Sequence, residues 1–446
     1  MAQRMERLLP TDTVTLLRHI GEAGDALDCP TYVVGGLARD LLLGRPSSDI
    51  DVMVEGDAPA LGRRLAEELE AELECDDRFL TCKLMLKSRR PIDVATARSE
   101  IYEHPGALPK VQRATATDEL GRRDFSINAL AIRLNARHFG KVLDPFGGSD
   151  DIRAGVLRVL HENSFADDPT RVFRAIRFAG RYRLSLEART HQWALAAIAS
   201  GAVDGISVER RRQEIIAILS EPRPAECLAL LAEYGGLRFI DAALRVTPEV
   251  ERVVERIAEL VSRELPGLRA GEAADDEESC PESWMLYAAA LMEQLGDERA
   301  ALACRRLRLT AAATKQIVAA VEHSRRSATA MAEPDEVPAS RIYQAFVGMP
   351  LSAPILALAL APSPQARSRI RGYLGTLRRV TADITGDDLL AEGYSSGPAF
   401  AEALRAGLGA KLDGRADTRE EQLRVALTVL QQHAGTDALG GPNQEG

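Results

Sequence analysis

The chain has 446 residues, 66 acidic against 56 basic, a formal net charge of −10, and a composition that is 46% hydrophobic but only 4% aromatic. At about 100–200 residues per domain this length fits two to four globular domains, and the composition excludes disordered and fibrous classes. A net acidic chain argues against a nucleic-acid binder, which is usually basic. Of the 56 bases, however, 50 are Arg and six are Lys, and Arg is the side chain that forks onto phosphate.

The six cysteines (Cys29, Cys75, Cys82, Cys227, Cys280, Cys304) are scattered without a CxxC pair, which disfavours a zinc site and a disulfide framework. No 18-residue apolar run offers a membrane span. Met1 to Pro10 mixes Arg and Glu before any apolar stretch, unlike a signal peptide. The expectation is a cytoplasmic protein with no membrane and no protein partner.

In chain order, TYVVG (Thr31–Gly35) predicts a strand, Leu37–Leu43 a helix and DIDVMV (Asp49–Val54) a second strand. Asp57–Glu72 has apolar residues at helical spacing with Asp57 as N-cap. Leu80–Leu86 and Pro91–Ala95 predict further strands, giving a mixed α/β unit. From about Asp167 onward Leu and Ala recur every three or four residues between Gly/Pro breaks, which predicts a helical array. Ala270–Ser283 is acidic and polar and predicts a mobile loop. Met331–Ser340 predicts a connector, and Thr436–Gly446 a frayed tail.

Three blocks carry chemistry. Gly35-Gly36-Leu37-Ala38-Arg39-Asp40 joins a strand to a helix start through a turn whose N–H groups can cradle phosphate, although a plain turn has the same pattern. Asp49 and Asp51 are i and i+2 in a strand pattern, so both carboxylates project to one face and repel unless a cation sits between them, as a two-metal nucleotidyl-transfer site requires. A solvated strand end is the plainer alternative. Asp93, in the strand-like PIDVA, is a third carboxylate if that strand lies beside the first. The second block, Arg122-Arg123-Asp124-Phe125-Ser126-Ile127-Asn128, offers phosphate forks and hydroxyl-reading groups, or else a helix start capped by Asp124.

The third block, Asp167-Asp168-Pro169-Thr170-Arg171, is a helix-start signature. Arg171, Arg174, Arg177 and Arg181 then fall on one helix face, which like-charge repulsion disfavours unless an anion binds. Between Arg171 and Arg212 nine Arg face three acids. Asp168 and Arg171, at i and i+3, could present an acceptor and a donor to the Watson–Crick edge of a base, or form an N-cap with a weak surface ion pair.

With these blocks in order, the chain resembles the class II tRNA nucleotidyltransferase and bacterial poly(A) polymerase family of polymerase-β-like nucleotidyltransferases. The matching segments are VVGGLARDLLLGRPSSDIDVMVEG, IDVATARSEIYEHPGALPKV, LGRRDFSINALAIR, LDPFGGSDDIRAGVLRVL, DDPTRVFRAIRFAGRY and SVERRRQEI, which cover most of residues 31–216 in family order. ITGDDLLAEGYSSGPAFAEALRAGL looks like the family's tail segment. The resemblance implies an α/β head domain (1–148) followed by all-α neck (149–222), body (223–338) and tail (339–446) domains, the last binding tRNA. It implies that Asp49 and Asp51 are catalytic and hold Mg²⁺ in a two-metal site, and that Gly35, Gly36 and Arg39 contact the triphosphate. Arg122, Arg123, Asp124 and Asn128 would handle ribose and phosphates, with Arg174 and Arg177 beside the nucleotide. Asp168 and Arg171 would select C or A, supported by Glu209, Arg210 and Glu214, and the stretch from about Arg98 to Thr117 would be a flexible loop that switches specificity. The implied substrates are tRNA, CTP and ATP, with addition of CCA, CC or a terminal A. Poly(A) addition and a silent RNA-binding relative are the alternatives. The chain departs from the family's Glu-Asp-Pro with Asp167-Asp168-Pro169. Asp77–Thr81 lacks the basic pair of the poly(A) polymerase branch, which favours tRNA.

Overall fold

The structure, a computed structural model, describes residues 1–46, 49–101, 110–265 and 280–439. It forms two compact units, Met1–Ile206 and Ser207–Gly446.

In the first unit, α1 (Ala2–Leu8) and α2 (Thr11–Ala26) precede a seven-stranded sheet. Strand β1 (Thr31–Val34) is buried on both faces, as its β-branched and aromatic sequence favours. Helix α3 (Gly36–Leu42), β2 (Ile50–Val54), α4 (Ala58–Leu69), β3 (Glu72–Asp76), β4 (Thr81–Met85) and β5 (Pro91–Thr96) follow, and β6 (Arg98–Ile101) and β7 (Lys110–Arg113) form a separate pair. After α5 (Ala116–Leu120), β8 (Ala131–Arg133) and β9 (Val142–Leu143) complete the sheet in the order β3-β4-β5-β2-β1-β8-β9. Its β2–β5 pair is parallel and its other pairs are antiparallel.

Residue parity divides the sheet. Val33, Ile50, Val52, Val54, Ile92 and Val94 enter the core that also holds Leu37, Leu61 and Leu65 from α3 and α4. Tyr32, Val34, Met53 and Ala131 pack on the opposite face with Ala116 and Leu120. Asp51 alternates with Ile50 and Val52 and therefore points to this second face.

Helices α6 (Gly148–Ala154), α7 (Ser164–Asp167), α8 (Arg171–Tyr182) and α9 (Ala188–Ala199) follow, with β10 (Val156–Leu157) and β11 (Ser185–Leu186) pairing in parallel. Helix α8 buries Val172, Phe173, Ala175, Ile176 and Ala179, and leaves Arg171, Arg174, Arg177 and Arg181 half-buried on the predicted face.

The second unit is helical throughout its described residues, from α10 (Val208–Leu219) to Arg419–Leu439. Ser207, Thr247 and Ser363 cap helices by accepting from the third residue on. Residues 331–338 join the helices Ala311–Ala330 and Ala339–Gln344, where the connector was expected. Near the end, Ile384, Leu389, Phe400, Ala403, Ala426 and Leu430 form a separate small core. No helix among the described residues is long and apolar enough to cross a membrane.

Several expectations are corrected. Helix α4 stops at Leu69 because Glu70 turns left-handed at φ +50°, and Glu72 onward pairs as β3 with β4. Helix α8 begins at Arg171 rather than at Pro169, and Thr170 occupies its N-cap. The last helix includes Thr436 to Leu439, where the frayed tail was expected to begin. Cys75 and Cys82, register partners on β3 and β4 with Cα atoms 4.1 Å apart, are joined in a disulfide. The expected loop at 270–283 lies largely outside the described residues, as do 102–109 of the expected switching loop and the chain end from 440.

Candidate active site

The turn between β1 and α3 needs glycine. Gly35 lies at φ +66°, ψ −128°, and a Cβ there would come 3.3 Å from Asp51 Oδ2 and 3.7 Å from Arg123 Nη1. In front of this turn is a cavity of about 330 Å³. Gly35, Gly36, Arg39 and Asp51 form one wall, Arg122, Arg123, Asp124 and Asn128 another, and Asp168, Arg171, Arg174 and Phe178 a third. All three sequence blocks meet there.

A chain of hydrogen bonds ties the walls together. Arg39 Nη1 donates to Asn128 Oδ1 at 2.8 Å, and Asn128 Nδ2 donates to Asp124 Oδ1 at 2.8 Å. Arg174 then pairs with Asp124 Oδ2, 2.8 Å from Nε and 2.6 Å from Nη2. Asp124 also accepts from the Phe125 amide at 2.9 Å. Arg39 is only 7% exposed. Its guanidinium pairs with Asp40 at 2.9 Å and lies 4.6 Å from the Tyr182 ring centroid. Tyr182 OH donates to Asp40 at 3.3 Å, so α8 is fastened to α3.

On the third wall, Asp168 Oδ1 accepts from the Thr170 amide and hydroxyl at 3.1 and 2.7 Å. Arg171 donates Nη2 to the Arg122 carbonyl at 3.1 Å, while its buried Nη1 has no hydrogen-bond partner. Arg122 pairs with Glu119 at 2.8 Å, and Arg123 approaches the same carboxylate at 3.7 Å.

Asp51 and Asp93 are direct register partners on the parallel strands β2 and β5, so the third carboxylate stands beside the first pair. Asp49 lies just before β2 and is exposed. Burial raises the Asp51 carboxyl above the usual range, Asp93 and then Asp49 add to the rise, and Arg123 opposes it. Among the described residues no three His, Cys, Asp or Glu side chains converge into a cage that could hold a metal by themselves. The donors at hand are nonetheless mutually repelling carboxylates, the oxygen ligands that a hard divalent cation takes.

Other predicted residues sit elsewhere. Asp93 lines a second, larger cavity that shares Asp51 and Arg123 with the first. Arg177 lies 5.6 Å from the Phe178 ring centroid and does not line the smaller cavity. Glu209, Arg210 and Glu214 are on α10 in the second unit, where Glu209 is held by Arg308. Sequence reasoning missed Glu119, Phe178, Asp40 and Tyr182. Glu119, three and four residues before the Arg pair, was detectable from helical spacing.

The Poly A polymerase head domain family matches residues 31–158. An A-adding tRNA nucleotidyltransferase of Geobacter sulfurreducens is 35% identical over 429 residues, 95% of this chain and 48% of its own length. A solved CCA-adding enzyme in its apo form II is 32% identical with a TM-score of 0.79, covering 96% of this chain and 98% of that one. The chain belongs to the CCA-adding enzyme family. The Thermotoga maritima CCA-adding enzyme, solved in complex with tRNA, is 30% identical with a TM-score of 0.75, over 96% of this chain and 98% of that one. The chain spans about half the length of the first curated relatives it matches.

Proposed function

We propose that this chain is a tRNA nucleotidyltransferase that adds C and/or A to the 3′ end of tRNA from CTP and ATP, in the cytoplasm and without a nucleic-acid template. The observation that carries this reading is the single cavity in which the Gly35–Gly36 turn, Asp51, the Arg122–Asn128 block and the Asp168–Arg171 pair meet. A triphosphate fits the turn and the Arg side chains, and a base fits the end where Asp168 and Arg171 stand. In the proposed four-part division the cavity residues belong by number to the head (1–148) and the neck (149–222), which precede the body (223–338) and tail (339–446) in the chain.

In the reaction, the 3′-hydroxyl of the RNA attacks the α-phosphate and the bond to the β-phosphate breaks, releasing pyrophosphate. Asp49 and Asp51 would hold Mg²⁺, with Asp93 as a further candidate, and the ion supplies Lewis-acid stabilisation of the charge on the transferring phosphate. Arg123 lies over the Gly35 turn, where it can bind the triphosphate. Asn128, held by Arg39 and Asp124, faces the ribose side. Arg171 and the Asp168 acceptor, both on the cavity wall, make a protein-borne template for C or A. Arg174 positions Asp124 and closes the cavity, and Arg177 supports Phe178.

The test is extension of tRNAs ending before CCA, after C and after CC, with CTP and ATP supplied singly. Products limited to C and A on these ends support the reading, and the pattern separates CCA, CC and terminal-A addition. Processive A tracts on unrelated RNA would indicate a poly(A) polymerase. Full incorporation by the Asp49→Ala, Asp51→Ala double variant would refute the catalytic assignment, and no product from the intact protein would indicate a silent RNA binder.

A further inference from the structure

On the sheet face that carries Asp51, one row of side chains crosses four strands at a single level. Asp51 on β2 is in register with Asp93 on β5, Asp93 with Lys83 on β4, and Lys83 with Glu74 on β3. Side chains in direct register share a face and start about 4.5–5.5 Å apart, so the row runs acid, acid, base, acid. All four residues line the larger cavity, of about 920 Å³. Lys83 is exposed, one of six lysines among 56 bases. Its strand neighbours Cys82 and Leu84 are buried in the core, which fixes the backbone beneath it.

The other bases on this cavity have acidic partners of their own. Arg78 approaches Asp76 at 3.6 Å, and Arg123 approaches Glu119 at 3.7 Å. Lys83 stands between two direct cross-strand carboxylates, Glu74 and Asp93, and is the base of this cavity whose register neighbour adjoins Asp51. A cation in this place offsets the mutual repulsion of Asp93 and Asp51, the same repulsion that a divalent cation would relieve. The two are therefore in competition: each reduces the field that attracts the other. Lysine suits the role because its ammonium is a hydrated point charge on a flexible stem that can swing away, whereas arginine would lock bidentately onto one carboxylate.

We infer that Lys83 is a positioning residue that weakens the hold of the Asp49–Asp51 pair on a divalent cation, acting through Asp93, the register neighbour of Asp51. This rests on the reading of Asp49 and Asp51 as the metal-binding pair, and the experiment separates the two. The full-length protein is titrated with Mn²⁺ alone, without nucleotide or RNA, and bound ion is followed by electron paramagnetic resonance. Lys83→Met and Lys83→Gln, which keep the stem and remove the charge, should each bind Mn²⁺ about tenfold more tightly. Lys83→Arg, which keeps the charge and can lock bidentately onto a carboxylate, should bind Mn²⁺ no more tightly than the parent. Adding Asp93→Asn to Lys83→Met should abolish the gain. Unchanged Mn²⁺ affinity in both neutral variants, with Asp51→Asn still weakening binding, would overturn the role of Lys83 and leave the metal reading intact. Loss of tRNA affinity at unchanged Mn²⁺ affinity would also overturn it, by making Lys83 an RNA-phosphate contact. Mn²⁺ binding indifferent to Asp51→Asn would overturn both.

Discussion

Asp124→Asn is the sharpest probe of the network that joins the three walls of the cavity. Asp124 is 8% exposed, and its carboxylate takes three hydrogen bonds, from Asn128 Nδ2 and the Phe125 amide on Oδ1 and from Arg174 Nε on Oδ2, with Arg174 Nη2 in ion-pair contact with the same oxygen. An amide has one acceptor oxygen where the carboxylate has two, so in either orientation its NH₂ faces donors. If the amide oxygen stays with Asn128, the Arg174 pair is lost; hydrogen bonds to charged groups contribute about 1.5–3 kcal/mol. Breaking a fully buried pair costs about 3–5 kcal/mol. Arg174, at 34% side-chain exposure, recovers some hydration, so about 2–3 kcal/mol is expected for the unit. The chain has two tryptophans, Trp193 in the first unit and Trp284 in the second. In a Trp284→Phe background, urea unfolding followed by Trp193 fluorescence reports on the unit that holds the site. Asp124→Asn, Arg174→Met and their combination make a double-mutant cycle, with an expected coupling of about 1–2 kcal/mol. A coupling below about 0.5 kcal/mol would show that Asp124 and Arg174 act independently, and the network would not be the fastening described above.

Gly35→Ala forces a Cβ onto a left-handed residue 3.3 Å from Asp51 Oδ2, at about 1–2 kcal/mol; ATP and CTP affinity should fall at least severalfold, and unchanged calorimetric titrations would contradict this. Arg171→Ala removes the donor at the base-reading end, so discrimination between C or A and other nucleotides should drop about tenfold or more while tRNA binding is kept; competition assays with mixed triphosphates check it. In the second unit, Asp241 accepts from Arg299 at 2.6 and 3.0 Å, and Arg299, with the Ala243 amide, holds its carboxyl below the ordinary value of 3.8 against burial. Its stabilising contribution is therefore complete above that value and lost as pH falls below it. Thermal unfolding of Asp241→Asn should show a lower Tm at neutral pH and a shallower acid decline than the parent; parallel profiles would count against the pairing.

Short-range chemistry was legible in the chain, and partnership across strands and between distant segments was less so. The strand parity of Asp49-Ile50-Asp51 put Asp51 opposite the core, and the spacing of Arg171, Arg174, Arg177 and Arg181 gave their common helix face, since both follow from local periodicity. Asp93 was visible as a carboxylate on a strand, but its register with Asp51 depends on a parallel pairing that no local pattern encodes. The helical spacing read over Asp57–Glu72 runs past the end of α4 at Leu69, because Glu72–Asp76 pairs with β4, where Leu73 and Cys75 pack against the core. The same pairing brought Cys75 and Cys82 together, which spacing alone did not suggest. Tyr182 and Phe178 carry no local signal that sets them apart from other residues of their helix. Their place beside Arg39 comes from docking α8 onto α3, about 140 residues apart in sequence.

The match to the head-domain family ends at residue 158, whereas the cavity is closed by Asp168, Arg171, Arg174 and Phe178. The unit of inheritance is therefore shorter than the unit of function. A polypeptide cut at the family boundary would keep its carboxylates and its glycine turn, yet would leave Asp124 without Arg174 and Arg39 without Tyr182. Such a piece would keep two of the cavity's three walls, and the third would have to come from whatever helix it met next.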